Sequence, residues 1–156
     1  MLRITLAALH LVALGIGLGA VWARARGLGA RPLDRASVRR GFAADGWWGV
    51  AAVLWLATGL WRLLAGTEKA TAYYVANHIF LAKMGFFVAI LLLELWPAIT
   101  LMRWRRVAAR SGASWTPDGS TAARVRAISY LEALLVVAMV IAAVMMARGY
   151  GVTTPG

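Results

Sequence analysis

Apolar residues in this chain gather into four long runs, Ile4 to Trp22, Trp47 to Leu64, Asn77 to Met102 and Ala127 to Ala147. A hydrocarbon core of about 30 Å needs about 20 mostly apolar residues as helix, and each run supplies roughly that length. The stretches between them differ in character. Residues 23–46 are rich in Gly and Arg and contain Pro32, residues 65–76 are short, and residues 103–126 carry Ser111-Gly112 and Pro117-Asp118-Gly119. Short connections favour antiparallel neighbours. The pattern therefore predicts an all-α, integral membrane four-helix bundle, up-down-up-down, formed by a single domain over residues 1–150. The last six residues, Gly151 to Gly156, read as a disordered tail.

Composition strengthens this reading. Of the 156 residues, 62% are hydrophobic and only 15% charged. A soluble fold of this size buries about two-thirds of its surface, so this much apolar surface needs lipid to cover it, and a soluble enzyme is excluded. The formal net charge of +11 raises the possibility of a nucleic-acid partner, but the Arg residues fall in blocks beside the apolar runs. The charge reads as topology, with no nucleic acid implied. The first and third connections carry twelve Arg residues, whereas the opposite side has Arg3, Arg62, Lys69 and Arg148. By the positive-inside rule those two connections are cytoplasmic, both termini lie outside, and the bilayer is a bacterial cytoplasmic (inner) membrane. Arg3 followed by an apolar run loosely fits a signal peptide; His10 within it, with Arg24 and Arg26 directly after, favours a retained helix. There is no cysteine, so disulfides, thiolate metal sites and covalent haem attachment are excluded.

Five ionisable residues lie within the runs, namely His10, His78, Lys83, Glu94 and Glu132. Each costs several kcal/mol in lipid and must face the bundle interior. His10 is about 10 Å below the start of the first helix and Lys83 about 9 Å below the start of the third, at 1.5 Å per residue. Those helices enter from the same side, which puts the two residues level. His78 and Arg62 lie nearer the outer surface. Lys83 and Glu94 are eleven residues apart, about 20° apart on one helix face and about 16 Å apart in depth. Gly17, on the stripe of His10, leaves space beneath it for a flat macrocycle. Glu132, a few residues into the fourth helix, is the expected partner at the inner end, so that Lys83, Glu94 and Glu132 can form a polar track. The plainer account of Glu94 and Glu132 is ion pairing with the inner Arg residues. Trp22, Trp47, Trp48, Trp61 and Trp104 read as interfacial anchors, and Met139 and Met145 as core filler. The spacing of Gly15 and Gly19 permits close helix approach or a homo-oligomer.

The stretches Leu9-His10-Leu11, Phe42 to Gly49, Thr58 to Arg62, Asn77 to Lys83 and Leu93-Glu94-Leu95-Trp96-Pro97 resemble a bacterial four-span integral membrane family, a domain of unknown function. That resemblance covers nearly the whole chain and implies a fold but no activity. More distantly, His10 in the first helix and Lys83 in the third resemble the essential pair of the HemJ-type protoporphyrinogen oxidases. This chain differs in carrying Val21-Trp22-Ala23-Arg24 after the first helix. The resemblance implies a haem b-binding oxidoreductase with His10 as metal ligand. On that reading Lys83 is expected to be catalytic, either as the second ligand or, kept charged beside Arg62 and His78, as the anchor of a propionate or substrate carboxylate, with Gly17 leaving room for the cofactor and a porphyrin or quinone as partner. A reading from a different class is a proton-coupled carrier using the polar track. A third is a structural subunit of a membrane complex.

Overall fold

In the computed structural model, residues 1–65, 76–111 and 115–151 are described. They form four helices, α1 (Leu2–Leu28), α2 (Arg35–Leu64), α3 (His78–Ser111) and α4 (Gly119–Ala147). All four are long and apolar enough to cross a membrane. They also run well past the apolar stretches at the Arg-rich end. The connection expected over 23–46 shrinks to residues 29–34, because Arg and Ala are good helix formers that continue a helix beyond its lipid-facing part. The segment expected between the second and third spans lies mostly outside the described residues.

Local chemistry sets where the helices start. Asp34 caps α2, its side chain accepting from the Ser37 N–H at 2.8 Å. Asp118 caps α4, accepting from the Thr121 N–H at 2.8 Å and from the hydroxyls of Ser120 and Thr121. Each satisfies donors that a helix start leaves open. The hydrogen bonds of Ser37 and of Ser120 and Thr121 hold both carboxyls below the usual carboxylate range. Asn77 does the same for α3, its Oδ1 accepting from the N–H groups of Ile79 and Phe80 at 2.9 and 3.1 Å. Its Nδ2 donates to the Tyr150 carbonyl at 3.0 Å, and the His78 N–H donates to the Gly151 carbonyl at 3.1 Å. Gly151 is therefore part of the fold and not of a disordered tail. Its φ is +86°, and a Cβ there would come within 2.5 Å of Asn77 Oδ1, so both backbone and packing call for glycine. Residues 152–156 lie outside the described residues.

Packing is closest between α1 and α2, where small residues let the backbones approach. A Cβ on Gly27 would lie 3.1 Å from the Gly41 nitrogen and 3.2 Å from the Ser37 carbonyl oxygen. Further along, Trp48 covers Gly17, and His10 lies against Gly59. The α4 helix packs on both α1 and α3, whereas α2 and α3 meet mainly through large side chains. One such contact is Trp55 edge-on to Phe87 at 5.8 Å. The main core joins Ala13, Val21, Trp48, Trp55, Ile90, Val136 and Met139, and a second cluster of Leu28, Leu101 and Val125 lies at the Arg-rich end. Large apolar side chains point outward along all four helices, from Leu11 and Val53 to Leu92 and Ile141. Trp48 is buried on Gly17 and so packs the core instead of anchoring an interface, while Trp22, Trp47 and Trp61 are exposed. Met139 fills the core as expected; Met145 faces outward. Gly15 and Gly19 are likewise on the outer face of α1, where an added Cβ would meet nothing within 4 Å.

Candidate functional site

The most concentrated polar chemistry among the described residues is organised by Arg24, which lies in α1 and not in the connection expected over residues 23–46. Arg24 lies seven residues after Gly17 and fourteen after His10, on the stripe of α1 that faces the other helices. Its side chain is fully buried. Nε donates to Ser129 Oγ at 2.9 Å. Nη1 donates to Asp45 Oδ1 at 2.9 Å and to Glu94 Oε1 at 2.8 Å. Nη2 donates to Glu94 Oε2 at 2.8 Å and to Glu132 Oε2 at 2.6 Å. A guanidinium has five N–H donors, and all five are used. Glu94 takes the two-pronged contact that suits a planar carboxylate best.

The acceptors come from the three other helices, Asp45 from α2, Glu94 from α3, and Ser129 and Glu132 from α4. Ser129 is itself held by donation to the Val125 carbonyl at 2.9 Å. Asp45 binds a second cation, Arg105 of α3, through Oδ2 at 2.9 Å, and that guanidinium also donates to the Phe42 carbonyl at 2.6 Å and lies over the Phe42 ring. Three carboxyl groups thus face two guanidiniums. The Glu94 and Glu132 carboxyls share one nitrogen of Arg24, Glu132 is completely buried, and its Oε1 accepts no hydrogen bond among the described residues. Carboxylates crowded this way in a low-dielectric site carry an excess negative charge that protein donors do not balance.

Of the residues singled out from sequence, Glu94 and Glu132 are brought together, through Arg24, as the plainer account of them expected. Asp45 and Ser129 were missed along with Arg24. The usable signal was the seven-residue repeat His10, Gly17, Arg24 on one helix face. Lys83 is not part of this cluster. It is half-buried near the other end of α3, within electrostatic range of Arg62, and His78 is exposed at the start of that helix.

His10 Nδ1 lies 2.9 Å from Thr58 Oγ1. The Thr58 hydroxyl also lies 2.7 Å from the Leu54 carbonyl, and the tautomer of His10 decides which partner donates in the His10–Thr58 contact. Trp55 flanks the imidazole at a centroid distance of 5.6 Å and meets Phe87 on the side of α3. The gap foreseen beside Gly17 is closed by Trp48, leaving a cavity of about 10 Å³ between α1, α2 and α4. A pocket enclosing a drug-sized ligand has about 300–1,000 Å³. His10 offers a donor of the kind that ligates haem, and Trp48 occupies the space beside Gly17 expected for the macrocycle. Among the described residues no group of three or more His, Asp or Glu side chains is placed to hold a metal ion.

Four bilayer-length helices with a buried ionic cluster joining all of them define a multi-span membrane protein. The chain belongs to the family described as Predicted membrane protein (DUF2214), which matches residues 2–151. No curated protein and no solved structure matches it.

Proposed function

We propose that this protein is a proton-coupled carrier of the bacterial cytoplasmic membrane, with Glu94 and Glu132 as its proton-binding pair. The observation that carries this reading is the Arg24 cluster. Three carboxyl groups from three helices converge on one saturated guanidinium, with Glu132 Oε1 lacking a donor. One proton held between Glu94 and Glu132 balances the charges of Asp45, Glu94 and Glu132 against those of Arg24 and Arg105. Each helix contributes a member, so gain or loss of that proton alters the attraction between all four, which is the coupling a carrier needs. Ionisable groups within membrane bundles commonly mark proton relays and ion paths. The helices are read as up-down-up-down with both termini outside, which places the cluster near the cytoplasmic surface. Lys83, Arg62 and His78 then mark the outer end, where an anionic substrate would be met.

Infrared difference spectroscopy on the full chain in lipid tests this. A pH step should reveal the carbonyl stretch of a protonated carboxyl, abolished in both Glu94→Gln and Glu132→Gln and retained in Asp34→Asn. Absence of the band, or its persistence in both Gln variants, would leave the cluster as a fixed ionic clasp and overturn the reading.

A second reading keeps His10 as the axial ligand of haem b in a redox-active protein related in function to the HemJ-type oxidases, with a porphyrin or quinone as partner and Lys83 as the catalytic residue. One observation favours it. Thr58 engages the Nδ1 side of His10 at 2.9 Å, as partners of metal-ligating histidines engage one ring nitrogen. Against it stands the lack of space beside Gly17. Protein purified from haem-supplied cells should show a Soret band that is lost in His10→Ala; colourless protein rules this reading out.

A further inference from the structure

A separate site lies between α2 and α3 at the Arg-rich end. A cavity of about 240 Å³ is lined by Arg35, Arg39 and Arg105 together with Val38, Phe42 and Trp115, and among the described residues no acidic side chain lines it. Arg35 and Arg39 are one turn apart on the same face of α2 and are exposed. Arg105 faces them from α3, its position fixed by the bonds of its Nη2 to Asp45 and to the Phe42 carbonyl. The aromatic wall is also held, because Trp115 stacks edge-on against Trp104 at 6.0 Å. Among the described acids, Asp34 caps the start of α2, Asp118 caps the start of α4, and Asp45 pairs with Arg105 at 2.9 Å from outside the lining. Arg35 and Arg39 therefore join the Asp45-paired Arg105 around an apolar-walled space.

We propose that this cavity binds a phosphate group, with Arg35, Arg39 and Arg105 as its ligands. Guanidinium forks match phosphate oxygens in geometry and charge. The volume is below that of a pocket enclosing a drug-sized ligand and suits a head-sized group. Two features favour the head of an anionic phospholipid over free phosphate. The α2–α3 seam is much looser than the α1–α2 and α3–α4 seams, so an acyl chain can lie along it. Basic pockets between membrane helices at this level are also typical lipid-head sites. The site is independent of the Glu94 and Glu132 pair except that Asp45 steadies Arg105.

The test compares the full-length protein in nanodiscs of phosphatidylcholine with and without phosphatidylglycerol, using native mass spectrometry to count retained lipid, and titrates inorganic phosphate by calorimetry. Phosphatidylglycerol should be retained by the wild type and weakened about fivefold for each arginine removed in Arg35→Gln and Arg39→Gln. The charge-matched pair Arg103→Gln and Arg106→Gln, outside the cavity lining, should leave retention unchanged. Phosphate binding that depends on Arg35 and Arg39 without lipid retention supports the site with a soluble source. Absence of both, or an equal loss in the control pair, overturns the proposal in favour of a diffuse surface field.

Discussion

Replacing Arg24 with methionine preserves side-chain length and helix propensity while removing five hydrogen bonds and the buried cation that faces Glu94 and Glu132. Two routes to the magnitude agree. Hydrogen bonds between membrane helices average about 0.6 kcal/mol each, so five are worth about 3 kcal/mol. Removing one partner of a buried ion pair costs about 3–5 kcal/mol, because the stranded charges stay buried. The expected loss is therefore about 3–5 kcal/mol, a large fraction of the ordinary stability of a domain. Lysine at the same position keeps the charge but offers three donors and no fork, so Arg24→Lys should lose about 1–3 kcal/mol. Adding Glu94→Gln and Glu132→Gln to Arg24→Met removes the stranded charges and should restore most of the loss, since Asp45 retains Arg105. Reversible unfolding in mixed micelles of increasing SDS content, followed by tryptophan fluorescence, measures each difference. The reasoning fails if Arg24→Met unfolds within about 1 kcal/mol of the wild type, or if the triple variant is no more stable than the single.

Three further outcomes are expected. Gly27→Val places a branched side chain against the Gly41 and Ser37 backbone and should cost about 1–3 kcal/mol by forcing α1 from α2, measured in the same micelle titration; no change there would mean the seam is not a tight contact. The Asp118 carboxyl is held below its usual range by Ser120 and Thr121, so its capping of α4 is fully present above the unfolded-state pKa and lost as pH falls through the lower folded value. Amide exchange at Thr121 should accelerate only in that acidic window, and Asp118→Ala should show fast exchange at every pH. A reporter fused after residue 156 should be active in the periplasm and one inserted near residue 112 in the cytoplasm; the reverse pattern would invert the proposed orientation.

The sequence by itself determined that the chain forms four membrane-length helices, because the cost of placing polar groups in hydrocarbon is paid residue by residue and leaves long apolar runs with no need of tertiary information. It also marked Glu94 and Glu132 as polar groups that must find cations inside the bundle. Only the tertiary structure chose Arg24 from the Arg residues around the first connection. A run count treats Arg24, Arg26 and Arg31 alike, whereas burial depends on helix phase and on how far α1 continues beyond the apolar stretch, here to Leu28. Asp45 was hidden for the same reason, lying in a stretch read as connection whose residues 35–46 are in fact the first three turns of α2. The space beneath His10 was also beyond sequence reasoning. Gly17 does lack a side chain, but whether that gap stays open depends on what the neighbouring helix places there, and the register of α2 fills it with Trp48. Lipid solubility is a sum over single residues, while an ionic cluster or a cavity is a property of several helices at once, fixed only when their phases and heights are set against one another.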